Sequence, residues 1–354
     1  MKICWELKGL NLSKTGLESI FWNNSKLLIV DNGEGLLYLI DHKSGKIESS
    51  IGVKERINDI TVGDINGDST NEILVIREDG SLLAITHEEI IIPIKAPSAL
   101  VKAITADIDD DSMDEILAFD STGTLNVFKL DRIIHRISLT PPIMFYSITD
   151  FNNDKRNEFL VLYGHDSYDL YSLESLDLIK HQNIFLGGFK RARVADFDSD
   201  SIPEVLILRN KSLISLKPLS GQIEELFEFF YDRISDFEIF DVDNNSKPEI
   251  IVLGEKEKKN YVSILSIFGE ILVEEVVDKT LTRIYPADIN GDGKLECIIT
   301  SVYGKIVLFD EAGIVEQIDL EKDILSTYIN DLDEDGVDEI YIRTKHSVLC
   351  LKRF

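Results

Sequence analysis

Cysteine, tryptophan and proline are scarce in this chain, whose 354 residues hold 3 Cys, 2 Trp and 8 Pro. An odd cysteine number this small (Cys4, Cys297, Cys350) excludes a disulfide framework and fits a reducing compartment, with the thiols expected to be buried as small apolar groups. No run of 18 apolar residues occurs, so a helical membrane span is excluded. The opening MKICWELKGLNLSK carries Lys2, Glu6 and Lys8 where a signal peptide needs an unbroken apolar core. A cytoplasmic protein is therefore expected, with secretion by an unrecognised route as the alternative. Basic residues are also in deficit, 37 Lys and Arg against 64 Asp and Glu, for a net charge of −27. Such a surface repels phosphate backbones and anionic lipid, which argues against nucleic acid as a partner. Helical periodicity is missing, which removes coiled-coil, βαβ and helical-solenoid readings. No G-x-S-x-G, P-loop, H-E-x-x-H or dinucleotide fingerprint is present, and His42, His87, His135, His165, His181 and His346 are scattered singly, so no enzyme is expected.

What the chain does have is one acidic nonapeptide written seven times. DINGDSTNE begins at Asp64, DIDDDSMDE at Asp107, DFNNDKRNE at Asp150, DFDSDSIPE at Asp196, DVDNNSKPE at Asp241, DINGDGKLE at Asp288 and DLDEDGVDE at Asp331. Successive first aspartates are 43, 43, 46, 45, 47 and 43 residues apart, the length of one supersecondary unit. Positions 1, 3 and 5 are always Asp or Asn, position 2 is apolar and position 9 is Glu. Oxygen side chains on alternate positions of a tight loop can converge on one point, which suits a hard cation such as Ca²⁺ with its 6–8 oxygen ligands. The candidate ligands are Asp64, Asn66, Asp68 and Glu72; Asp107, Asp109, Asp111 and Glu115; Asp150, Asn152, Asp154 and Glu158; Asp196, Asp198, Asp200 and Glu204; Asp241, Asp243, Asn245 and Glu249; Asp288, Asn290, Asp292 and Glu296; and Asp331, Asp333, Asp335 and Glu339. Up to seven Ca²⁺ ions are expected, and the Asp241 loop, with Asn at position 5, is expected to be the weakest. An EF-hand would need its Glu at position 12 and helical flanks.

Each Glu instead opens a short β-branched run, such as EILVI (72–76), EVLIL (204–208) or EIIVL (249–253), that reads as a buried strand. Four strands per repeat of about 45 residues is the pattern of a β-propeller blade. A unit without the acidic loop, residues 17–57, precedes the others and has FWNNSK in the loop's place. Six metal-loop blades occupy 58–325, and the last unit, 326–354, supplies three strands, leaving residues 1–10 to complete it and to put Cys4 and Cys350 on neighbouring strands. A single all-β propeller of eight blades over residues 1–354 is the expectation, with seven blades as the alternative.

The D-x-[DN]-x-[DN]-x-x-x-[DE] loop between the first and second strands of a blade resembles the FG-GAP/VCBS repeats best known from the heads of integrin α subunits. The resemblance covers residues 58 to 354, lacks the Phe-Gly and Gly-Ala-Pro elements, and has Gly at position 6 only in the Asp288 and Asp331 loops. It implies a propeller, Ca²⁺ in the loops, and an adhesive or scaffolding role.

The seven nonapeptides hold 28 acidic and 4 basic residues, a charge of −24 that accounts for nearly all of the chain's −27, and seven Ca²⁺ would bring the whole to about −13. Connections between blades fall at the opposite end of the strands and are basic, with 13 Lys or Arg against 6 acids. The densest stretch is FLGGFKRAR, where Lys190, Arg191 and Arg193 accompany Phe185 and Phe189, and the next blade adds Phe229, Phe230, Tyr231 and Arg233. Arg and aromatic residues are the types enriched at interaction hot spots. The expected function is a calcium-stabilised scaffold binding a protein partner there; the alternative is a carbohydrate-binding or polysaccharide-processing module. In a competing account the aromatics pack between blades and the arginines pair with Asp236 and Glu238.

Overall fold

The computed structural model describes residues 1–10, 12, 17–22, 25–164, 166–184 and 188–353. Asn23 and Asn24 of the FWNNSK segment, together with Phe185 and His165, lie outside the described residues. Among those described there are eight four-stranded sheets and no helix long and apolar enough to cross a membrane. Numbered along the chain, the blades run over residues 18–52, 57–94, 100–138, 143–183, 191–228, 233–277 and 281–319, each an antiparallel meander in sequence order. Blade 8 takes its first three strands from residues 324–352 and its fourth from Lys2–Lys8, which runs antiparallel to Ser347–Lys352. The expectation of eight blades with the N-terminal strand completing the last one is met. A strand that would otherwise leave an open edge is thereby paired.

Two compact units are formed, Met1–Thr140 with Ile324–Phe354, holding blades 1–3 and 8, and Pro141–Asp323, holding blades 4–7. Inside each, the apolar runs are explained by burial on both faces of the central strands. In Glu72–Arg77, Ile73 and Val75 pack with Ile29 of blade 1, while Leu74 and Ile76 pack with Ile116 of blade 3. In the second unit, Leu206 and Leu208 of Glu204–Arg209 join Ile250 and Val252 of blade 6, while Val205 and Ile207 face Leu160 and Leu162 of blade 4. The fourth strand Arg132–Ser138, at the edge of its sheet, has largely exposed side chains.

The thiols divide. Cys297 and Cys350 are buried as expected and Cys4 is exposed; Cys4 and Cys350 lie on neighbouring strands as expected, with Trp5 rather than Cys4 directly opposite Cys350 after a register shift between Ile3 and Trp5.

Candidate metal loops

All seven acidic loops share one backbone, built by their own side chains. The first aspartate accepts a hydrogen bond from the amide of position 6 in every loop, over 2.6–3.0 Å. The position 5 side chain accepts from the amide of position 7 over 2.8–3.0 Å. The ninth-position Glu turns Oε2 back to the amide of position 2, from 2.8 Å at Glu158 to 3.2 Å at Glu72. These are Asx-type and related side-chain-to-backbone bonds that hold the turn without any ion. They account for the Glu at position 9, which is buried in every loop, and for the apolar residue at position 2 that packs beneath it.

Glycine at position 6 proves unnecessary to the geometry. Position 6 has positive φ in all seven loops, 65–71° at Ser69, Ser112, Lys155, Ser201 and Ser246 and 81–84° at Gly293 and Gly336. The bonds from the first aspartate hold the five non-glycine residues in a region that costs roughly 1–2 kcal/mol per residue.

What differs between loops is the donor facing the remaining oxygen of the ninth-position Glu. In the Asp64, Asp150 and Asp288 loops the donor is the position 3 asparagine amide: Asn66 to Glu72 at 2.7 Å, Asn152 to Glu158 at 3.1 Å and Asn290 to Glu296 at 2.5 Å. In three others position 3 is Asp, and a lysine at the end of the third strand of the same blade enters the loop. Lys129 Nζ lies 2.6 Å from Asp109, 2.6 Å from Asp111 and 3.0 Å from Glu115. Lys217 lies 2.8 Å from Asp198, 2.7 Å from Asp200 and 3.0 Å from Glu204. Lys352 lies 3.0 Å from Asp333, 2.8 Å from Asp335 and 2.5 Å from Glu339. The surrounding carboxylates raise the pKa of all three ammonium groups, so each stays charged.

The Asp241 loop has neither device. Carboxylate oxygens of Asp241, Asp243 and Glu249 come within 4.8 Å of one another. Among the described residues no asparagine amide or lysine ammonium is hydrogen-bonded to Glu249, and the strand position beyond Leu265 that would carry a lysine is Ser266. Burial holds the Glu249 carboxyl above its ordinary range, and Asp243 and Asp241 add to the effect. Burial likewise pushes Glu72 up to about 7.

A divalent ion therefore suits the seven loops unequally. The donor set of the Asp241 loop fits one as it stands. The three asparagine loops would fit one with the amide nitrogen turned away from the Glu. In the three lysine loops carboxylate oxygens converge within the same 4.8 Å, but there an ammonium already lies against the side chains of positions 3, 5 and 9. The expected ligands Asp109, Asp111 and Glu115 lie against Lys129, Asp198, Asp200 and Glu204 against Lys217, and Asp333, Asp335 and Glu339 against Lys352. The sequence reading missed these lysines, although their spacing from the loop was available to it.

The basic stretch is also rearranged. Arg191 Nε lies 3.0 Å from Asp236 Oδ1, and Arg193 lies 3.3 Å from Asp236 and 2.6 Å from Glu238, with its guanidinium 5.5 Å from the Phe237 ring centroid. Phe189, Phe229 and Tyr231 are buried. In this detail the competing account describes the structure: these two arginines pair across blades 5 and 6. Lys190 and Arg233 remain exposed, as does Phe230 at 68%.

No family model and no curated protein matches the chain. Among solved structures, BamB from Moraxella catarrhalis aligns with TM-score 0.65 at 11% identity, over 99% of this chain and 97% of that one. Saccharomyces cerevisiae Sqt1 aligns with TM-score 0.67 at 9% identity, over 97% and 99%. The C-terminal WD40 domain of Sif2 aligns with TM-score 0.65 at 10% identity, over 100% and 98%. The chain is a β-propeller. At these identities the likeness is one of fold, and what this propeller does has to be argued from its own residues.

Proposed function

We propose that this propeller is a non-enzymatic scaffold that binds a protein partner through connections between its blades, in a body stabilised by Ca²⁺ in the loops of FG-GAP/VCBS type. The observation that carries the scaffold reading is Phe230, a large aromatic 68% exposed on the connection from blade 5 to blade 6, with the exposed Arg233 three residues on. Its neighbours Phe229 and Tyr231 are buried, so the segment is anchored and the exposed ring is presented rather than loose. The exposed Lys190, on the preceding connection, lies at the same end of the strands, and such cations suit an acidic partner. Ca²⁺ would be held by Asp241, Asp243, Asn245 and Glu249, and by the asparagine loops Asp64 to Glu72, Asp150 to Glu158 and Asp288 to Glu296. There it would neutralise carboxylates that otherwise repel one another. Three free thiols, one of them exposed, suit a reducing compartment and hence the cytoplasm.

The test is affinity capture from the protein's own cell extract with wild type, Phe230→Ala and Arg233→Glu. Loss of the same captured protein from both variants, with unchanged melting, is the expected result. Full capture by both variants would place the interface elsewhere.

A further inference from the structure

The seven loops obey a charge rule that the lysines explain. Over positions 1, 3, 5 and 9, the Asp64, Asp150 and Asp288 loops carry three carboxylates and one asparagine, and the Asp241 loop does so with Asn245. The Asp107, Asp196 and Asp331 loops carry four carboxylates, and these are the three loops into which Lys129, Lys217 and Lys352 reach. At the matching strand position the other four loops have Thr86, Ser172, Ser266 and Asp310. With the strand position counted, six loops carry a net charge of −3 over these groups, and the Asp288 loop, where that position is Asp310, carries −4.

From this geometry we propose that Lys129, Lys217 and Lys352 are resident cations: each occupies the centre of its loop, permits the fourth carboxylate there, and keeps divalent ions out. An ammonium has three N–H donors, and in each loop three carboxylate oxygens, from positions 3, 5 and 9, lie within 3.0 Å of it. A Ca²⁺ ion needs those same side chains at about 2.3–2.6 Å, so ion and ammonium exclude each other. A tethered cation also differs from a free one in that it does not leave when the metal concentration falls. The calcium-loop resemblance implies seven metal sites; the donor sets restrict divalent ions to the four loops without lysine. The proposal does not require those four to be filled.

The experiment uses the full chain with Lys129→Met, which keeps most of the unbranched side chain and removes its charge. In EDTA this variant is expected to melt roughly 5 °C below wild type. With millimolar Ca²⁺ it should recover, and titration calorimetry should show one more Ca²⁺ equivalent than wild type. A second variant, Lys129→Met with Asp109→Asn, copies the asparagine loops and should regain stability in EDTA without any ion. This double variant also guards against failure of the single one to fold. The proposal is overturned if wild type binds seven equivalents, if Lys129→Met melts as wild type does in EDTA, or if Asp109→Asn gives no rescue. A wild type that binds no Ca²⁺ while the double variant rescues would refute the calcium reading of the other loops and support the resident lysine.

Discussion

Arg343 and Asp31, 312 residues apart in sequence, form an ion pair of 3.1 Å with neither residue exposed to solvent. It joins the second strand of blade 8 to the second strand of blade 1, and Asp31 also accepts a hydrogen bond from the Gly33 amide at 2.8 Å. Removing one member leaves a buried charge without its partner. Arg343→Met is expected to lose about 3–5 kcal/mol of stability. Arg343→Met with Asp31→Asn should recover most of that loss, since asparagine still accepts from Gly33 and carries no charge. Urea unfolding of both variants checks this, and a double variant no better than the single one would contradict it.

The pair Arg193 and Asp236 makes a second prediction. Asp236 is 1% exposed, burial raises its pKa, and Arg191 and Arg193 oppose that shift. Reversing both arginines to Glu would gather four acids at one place, with the buried Asp236 among them. The variant should melt well below wild type or fail to fold. Phe230→Ala, whose side chain is exposed, should change stability by less than about 0.5 kcal/mol. Normal melting of the arginine double variant would return those residues to the list of candidate partner contacts.

Glu18 sets a pH dependence. Burial, reinforced by Asp59 and opposed by Lys102, raises its pKa from 4.5 to about 7. Between those two values the folded chain holds a proton that the unfolded chain has released. Stability from this group is therefore fully present below pH 4.5 and is lost as pH rises through about 7. Glu18→Gln should stabilise the protein at pH 8 by roughly 1–3 kcal/mol and have little effect at pH 4.5. Glu72 contributes a slope of the same sign, so the measurement is the difference between variant and wild type across the pH series. A difference that does not change with pH would contradict the assignment.

Calcium should raise the melting temperature, and the Asp241 loop should contribute most to that rise. This reverses the rank expected from Asn245 alone, because three carboxylates converge there and, among the described residues, no lysine or asparagine donates to Glu249. Asp243→Asn would leave two carboxylates at positions 1, 3, 5 and 9, one fewer than any other loop keeps, and should remove one Ca²⁺ equivalent. Mg²⁺ should be a weaker substitute, since it demands near-octahedral geometry and dehydrates reluctantly. Equal calcium-induced shifts in wild type and Asp243→Asn would show that the ion binds in other loops.

Repetition made the fold legible. A nonapeptide recurring about every 45 residues, each copy followed by an apolar run, already determined blade number, strand order and the use of residues 1–10 to complete the last blade. Those features depend on local pattern and on the need to pair every strand edge, both of which a linear sequence records. Contacts across strands are what it did not reveal. Lys129 reaches Asp109 only because the third strand of the blade returns its end to the loop, and Arg193 reaches Glu238 only because neighbouring blades bring their first strands together. Charge type and spacing were therefore enough to mark out an acidic loop whose carboxylates converge, whereas tertiary structure decided which loops have a lysine ammonium among those carboxylates. An ammonium on a neighbouring strand satisfies the same carboxylates as a metal ion, and only its position in space distinguishes the two.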